Sequence, residues 1–250
     1  MKYYGRDPRI ISIPRRLEKI KRVIAFMSNK GGVGKTVLST ITALSLVDKQ
    51  YKTGLLDLDF VNPSTHVVLG VDPSKLVFEE EKGIKPPVIH GIEYISITLF
   101  TKGALAPLRG EALNEVFAEI LSITNWGELD YLIIDTPPGF SDEHLDLINY
   151  IDKLEVVIVS TPSSLSIRSV ENLIDLMKNH GVRINGLIEN MSSNSSLKQL
   201  CLSRGIRYLG NIPYDPGFEN SIGFINELKE TIVWRKVSAI VDYLSKVTNI

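Results

Sequence analysis

Val23–Ile24–Ala25–Phe26–Met27 runs directly into Ser28–Asn29–Lys30–Gly31–Gly32–Val33–Gly34–Lys35–Thr36, and the reading of this stretch decides the fold. The first five residues are an unbroken apolar run, the pattern of a strand covered on both faces. The loop that follows is rich in glycine, and Gly34–Asp48 then carries apolar side chains at helical spacing. Strand, glycine-rich loop and helix in that order make a phosphate-binding unit. Glycine lets consecutive backbone N–H groups curl around an anion, and the N-terminus of the following helix adds partial positive charge. In that geometry Lys35 reaches β- and γ-phosphates, and Thr36 places its hydroxyl on Mg²⁺. The consensus G-x-x-x-x-G-K-[ST] has glycine where this chain has Asn29. Asparagine tolerates a left-handed backbone, so the expectation is that the loop closes with Asn29 in that conformation.

Outward from this unit, short Val- and Ile-rich runs alternate with amphipathic stretches. Strands are expected at Val23–Met27, Gly54–Leu58, Ile92–Ile97, Tyr131–Ile134, Val156–Ser160, Gly186–Glu189 and Tyr208–Ile212. Helices are expected at Gly34–Asp48, Gly110–Ser122, Ile167–Asn179, Ser195–Ser203 and Val233–Lys246. Such alternation predicts an α/β fold, a doubly wound, mainly parallel sheet with helices on both faces. The segment from Asp72 to His90 breaks the pattern with Glu79–Glu80–Glu81 and Pro86–Pro87 and reads as a surface loop.

With 250 residues and 44% hydrophobic content, the chain can bury a large core without disulfides or structural metals. Its one cysteine, Cys201, has no internal partner, so a reducing compartment, the cytoplasm, is the expected setting. Neither an apolar run long enough to span a bilayer nor a signal-peptide core is present. Residues 1–22 hold eight Lys/Arg against two Asp/Glu, whereas the whole chain is formally −1. They read as a basic, solvated N-terminal arm ahead of one catalytic domain at 23–250. No strong nucleic-acid or membrane signal accompanies them.

Two acidic sites fall where a phosphate loop needs them. Asp57 and Asp59 lie two apart at a strand end and share one face. Asp135 ends the run Tyr131–Ile134 and is followed by Thr136–Pro137–Pro138–Gly139. Ligands bind beyond the carboxyl ends of strands in such sheets. The four histidines have no second ligand at metal spacing and read as structural. Cys201 sits at an apolar helical position, as a small buried hydrophobe does. The C-terminal stretch sets Val233, Val237, Ile240, Val241, Leu244 and Val247 on one face, which predicts packing on the sheet rather than on a membrane.

The second lysine of the loop, Lys30, makes the stretch resemble the deviant Walker A P-loop ATPases of the MinD/ParA superfamily. Asn125–Trp126–Gly127–Glu128–Leu129–Asp130–Tyr131 leading into IIDTPPG, Asp142–Glu143–His144–Leu145, Glu189–Asn190–Met191–Ser192 and Gly210–Asn211–Ile212–Pro213–Tyr214–Asp215–Pro216 are similar to its Mrp/ApbC branch. The resemblance covers roughly residues 20–225 and implies a slow Mg-ATPase that forms a homodimer on ATP binding and acts on a client not named by the sequence. It implies that the loop from Asn29 through Val37 (Gly31, Gly32, Val33, Gly34, Lys35 and Thr36 included) cradles ATP, and that Lys30 crosses to the partner's nucleotide. By the same resemblance Asp59, 24 residues after Lys35, orients the attacking water. Asp57 and Asp135 would be outer-sphere carboxylates for Mg²⁺, and Asn190 with Pro213 would hold adenine.

Three departures from that pattern matter. Val37 stands where many relatives have a second hydroxyl, and Leu108–Arg109–Gly110 matches only part of a WRG stretch. The Mrp/ApbC proteins are iron–sulfur carriers with C-x-x-C soon after ENMS; this chain has Ser193 to Leu200 and then only Cys201. A [4Fe–4S] cluster needs about four soft ligands and a homodimer offers two, so no iron–sulfur cofactor is expected on the homodimer. The sequence expectation is a Mrp/ApbC-type ATP switch; the alternative is a MinD/ParA-like positioning ATPase acting on membrane or DNA.

Overall fold

The computed structural model describes residues 7–103, 111–139 and 142–246. Among these residues there are ten α-helices and ten strands: α1 (Pro8–Arg16), β1 (Ile20–Met27), α2 (Lys35–Asp48), β2 (Thr53–Asp57), α3 (Thr65–Leu69), β3 (Glu79–Glu80), β4 (Ile84–Lys85), β5 (Val88–Ile89), β6 (Ile92–Ser96) and α4 (Ile97–Thr101) come first. They are followed by α5 (Glu111–Ile123), β7 (Leu129–Asp135), α6 (Asp142–Tyr150), β8 (Leu154–Ser160), α7 (Ser164–Asn179), β9 (Arg183–Asn190), α8 (Lys198–Ser203), β10 (Tyr208–Ile212), α9 (Ile225–Glu230) and α10 (Ile232–Lys246).

Eight strands form one sheet in the order β10-β9-β8-β1-β7-β2-β6-β5, parallel throughout except for the short edge strand β5. Every residue of β8 and all but Lys21 of β1 are buried, because helices cover both faces of the central strands. The expected doubly wound α/β sheet is therefore present. The helix α2 packs beside α10, and α1, α5 and α6 form a second group. Parallel pairing sets Asp57 opposite Asp135 and Phe26 beside Asp135, so the carboxyl ends of β1, β2 and β7 meet at one place.

All seven expected strands exist, β10 with the expected bounds and the others with shifted ends. β9 starts at Arg183 rather than Gly186, because a bulge against β8 lets the strand run through Gly186, whose φ is 149°. The Asp72–His90 segment is not wholly irregular: β3 pairs antiparallel with β4, and β5 adds to the sheet edge. Expected helices begin late where backbone chemistry forbids helix: Gly34 is left-handed at φ 85°, and α8 starts only after Leu197 because a carboxylate takes the Ser196 and Leu197 N–H groups. The expected start of α5 at Gly110, the Leu108–Arg109–Gly110 stretch and Val247 lie outside the described residues.

The reading of residues 1–22 as a solvated arm needs correction over its described part. Ile13 and Leu17 are completely or almost completely buried, α1 packs on α5, and Lys153 Nζ donates to the carbonyls of Leu17 and Ile20. Burying those two aliphatic side chains contributes about 1.5–3 kcal/mol each, which outweighs the solvation of neighbouring charges that remain exposed. α10 packs as expected, with Val233, Val237, Ile240, Val241 and Leu244 buried.

Candidate functional site

The loop between β1 and α2 opens at the carboxyl end of the central strand. Gly32 and Gly34 take φ of 75° and 85°, the left-handed values that only glycine adopts without strain. At Gly34 a Cβ would strike the side-chain amide of Asn190. Asn29 is not left-handed, contrary to the expectation for it. Its side chain acts instead: Asn29 Nδ2 donates to the Ser169 carbonyl at 3.0 Å and ties the loop to α7. The glycines further along supply all the left-handed geometry that the loop needs.

Lys35 is buried at the head of α2, and its Nζ pairs with Asp135 Oδ1 at 2.8 Å. Ser39, one turn further along α2, donates to the same oxygen at 3.1 Å. Asp135 Oδ2 is buried with no hydrogen-bond partner. Asp57 is buried beside it; Oδ1 accepts from the Asp59 N–H at 3.1 Å and Oδ2 from the Thr65 hydroxyl at 2.6 Å. Burial, followed by the neighbouring Asp135 charge, pushes the Asp57 carboxyl up to about 7. Burial also raises Asp59, partly offset by the Asn62 N–H that donates to its Oδ1 at 3.0 Å.

An orphaned buried carboxylate oxygen beside a glycine-built anion cradle fits a hydrated cation between protein and phosphate. Among the described residues no three His, Cys, Asp or Glu side chains converge as a protein cage for a metal. Mg²⁺ is the cation suited to this arrangement, since it keeps several waters and takes few protein ligands. Thr36 would be the direct ligand and Asp57 and Asp135 would each lie one water away.

The other expected residues are placed as follows. Lys30 is exposed on the loop, and Val37 is half-buried against the core, where its methyls replace a hydroxyl. Asn190 ends β9 with its amide donating to the Val33 carbonyl at 2.8 Å, and Pro213 follows Ile212, the register partner of Asn190 on β10. The fold thus brings Asn190 against the phosphate loop. Reading the sequence alone missed Ser39 and Thr65, and took His144 as structural without placing it near the loop. Ser39 was discoverable, since it lies four residues after Lys35 on the same helical face. His144 is buried on α6, its Nε2 lying 3.3 Å from Thr136 Oγ1, and burial lowers its pKa to about 4.

Cys201 is completely buried in α8, and burial together with the Glu189 charge pushes its thiol up to about 11. Ser192 Oγ, the Ser196 and Leu197 N–H groups and Tyr208 OH all donate to Glu189, which is itself completely buried. That carboxylate organises the loop in which relatives of the Mrp/ApbC kind carry paired cysteines.

Comparison with known proteins bears on this geometry. Residues 19–244 match the family described as ParA: NUBPL iron-transfer P-loop NTPase. The chain is 34% identical to the cytosolic Fe-S cluster assembly factor CFD1 of Kluyveromyces lactis, over 91% of this chain and 88% of that one. It is 32% identical to the cytosolic Fe-S cluster assembly factor Nubp2 homolog of Drosophila ananassae, over 93% and 98%. A nucleotide-binding protein from Archaeoglobus fulgidus solved with ADP superposes with a TM-score of 0.76 at 28% identity, over 90% of this chain and 95% of that one. The Pyrococcus furiosus cell division ATPase MinD superposes with a TM-score of 0.68 at 19% identity, covering 91% and 100%, a likeness of fold alone.

Proposed function

On the premise that this chain belongs to the NUBPL-type family of iron-transfer P-loop NTPases, we propose that it is an ATP-hydrolysing dimeric switch serving iron–sulfur cluster assembly in the cytoplasm. The single observation that carries the ATPase reading is the Lys35–Asp135 pair with the unpartnered Asp135 Oδ2 beside it. A buried lysine held by a carboxylate at the mouth of an anion cradle is a phosphate ligand waiting for its phosphate.

In this reading the backbone N–H groups from Gly31 to Thr36 and the N-terminus of α2 hold the phosphate tail. Lys35 transfers from Asp135 to the β- and γ-phosphate oxygens. Mg²⁺, once bound through Thr36, supplies charge neutralisation on those oxygens. Asp59 accepts a hydrogen bond from water and aligns it with the γ-phosphorus; the water oxygen bonds to phosphorus as the bond to the β,γ-bridging oxygen breaks, its electron pair leaving with ADP and the water's protons ending on the oxygens of the phosphate formed. The raised proton affinity of Asp59 favours that task. Lys30, exposed at the rim, reaches the partner's nucleotide and meets the charge that develops there. Asn190 and Pro213 hold adenine, Asn190 through the amide oxygen and second N–H that its bond to the Val33 carbonyl leaves over.

The names of the CFD1 and Nubp2 relatives support the assembly role over positioning on membrane or DNA. No described helix is long and apolar enough to cross a membrane. The cluster is cargo here: two copies of the chain bring two thiols, so a client or small thiol completes its ligand set. Light scattering tests the switch. Asp59→Ala with saturating Mg-ATP is expected to run as a trapped dimer that binds ATP and does not turn it over. A monomer under those conditions would sink the switch reading.

A further inference from the structure

The amino ends of the parallel strands, opposite the phosphate loop, carry a second recess. A cavity of about 560 Å³ lies between the end of α1, the turn from β3 to β4 and the connection from α5 to β7. Arg15, Arg16, Lys19 and Lys82 line it, with Glu18 as its one acidic side chain. A neighbouring recess of about 320 Å³ shares Lys19 and adds Lys21 and Lys52 together with Glu128 and Asp130, the last already paired with Lys21 at 2.7 Å. Arg16 is pinned, its Nε donating to the Ser122 carbonyl at 2.9 Å and its Nη2 to the Lys82 carbonyl at 2.6 Å. That pinning holds α1 and the β3–β4 turn at a set separation. Arg15, Lys19 and Lys82 are exposed and make no ion pair among the described residues. Trp126, in the wall, is 4% exposed and its Nε1–H is buried without an acceptor.

We propose that this groove binds an acidic peptide segment of a partner protein, with its carboxylates on Arg15, Lys19 and Lys82 and one acceptor on the Trp126 indole. Unspent cations and a buried donor without a partner are complementary to an acceptor-rich, anionic ligand. Peptide fits better than a compact phosphate. The cations come from separate elements and do not converge, and α1 presents its C-terminal, partially negative end here. The carboxylate of Glu18 also opposes a dense anion. An extended chain places alternate side chains about 7 Å apart on one face, which suits the separated cations of the larger recess.

Fluorescence anisotropy with the full chain tests this, using a fluorescein-labelled decapeptide of alternating glutamate and serine. Arg15→Glu/Lys19→Glu is expected to weaken binding by at least about tenfold, the scale of losing two charge-assisted contacts. Trp126→Phe, which keeps an aromatic ring and removes the donor, is expected to weaken it by about three- to tenfold. Lys198→Glu/Lys236→Glu makes the same change in net charge at exposed lysines elsewhere and is expected to bind as the parent does. Circular dichroism of each variant confirms that the fold is kept. Equal loss in the two double variants would overturn the proposal, as would tighter binding of tripolyphosphate or of a ten-nucleotide RNA through Arg15 and Lys19.

Discussion

At the scale of the residue, the pair Lys35–Asp135 does two jobs that pull against each other. Without nucleotide, each neutralises the other inside the protein, and Ser39 supports the carboxylate. Removing the lysine leaves Asp135 buried and uncompensated, a loss of about 3–5 kcal/mol. Lys35→Ala is therefore expected to abolish Mg-ATP binding in calorimetry and also to lower the melting temperature of the nucleotide-free protein; an unchanged melting temperature would show that the pair does not form in solution. His144 gives a pH dependence. Burial lowers its pKa to about 4 from an ordinary 6.5, with nearby Lys35 acting in the same direction and Glu143 against it. Between those values the unfolded chain takes up a proton that the folded chain refuses, so this stability is intact above about pH 6.5 and drains away as the pH falls toward 4. His144→Gln is expected to flatten the urea midpoint against pH across that window. A variant whose midpoint falls as steeply as the parent's would assign the acid sensitivity to another group.

At the scale of the element, the segment from Glu189 to α8 shows how one buried carboxylate shapes a loop. Two side-chain hydroxyls and two backbone N–H groups converge on Glu189, which delays the start of α8 to Lys198 and fixes the loop after Met191. Asn190, next in sequence, is bonded to the phosphate loop, so the two loops are joined through adjacent residues of one strand end. Glu189→Ala strands those donors and is expected to cost about 2–4 kcal/mol in chemical denaturation, with faster proteolysis between residues 192 and 197. Denaturation and cleavage matching the parent's would mean that the loop is held by other contacts.

At the scale of the whole molecule, the arrangement separates nucleotide chemistry, at the carboxyl ends of the strands, from the basic groove at their amino ends. The ligand count for a cluster also belongs here, because it depends on what two copies of the chain can bring together. Each brings Cys201 alone, buried and with its thiol raised to about 11, so it resists forming the thiolate that iron requires. Anaerobic reconstitution of the purified homodimer is expected to give far fewer than about four irons per dimer, and Cys201→Ser is expected to leave that number unchanged. Four irons per dimer that vanish in Cys201→Ser would overturn this and make the chain a carrier by itself.

The phosphate loop, the parallel sheet, the acidic strand ends and the packed α10 were legible in the sequence because local pattern decides them: period, glycine and chain order carry the information. What stayed illegible is what long-range contact decides. α1 looked solvated because its charges are many, and only its docking on α5 shows that Ile13 and Leu17 outweigh them. Asn29 looked like a substitute for glycine, yet its part is a hydrogen bond to Ser169, 140 residues away. Ser39 and Thr65 have no motif to announce them, and the family-like stretches that hold His144 and Glu189 gave those two no role; each gains its role from a neighbour brought by another strand or helix. Residue type and spacing therefore determined that this chain carries a P-loop, whereas the tertiary structure decided which side chains hold its carboxylates in place, since a buried charge is defined by everything that surrounds it.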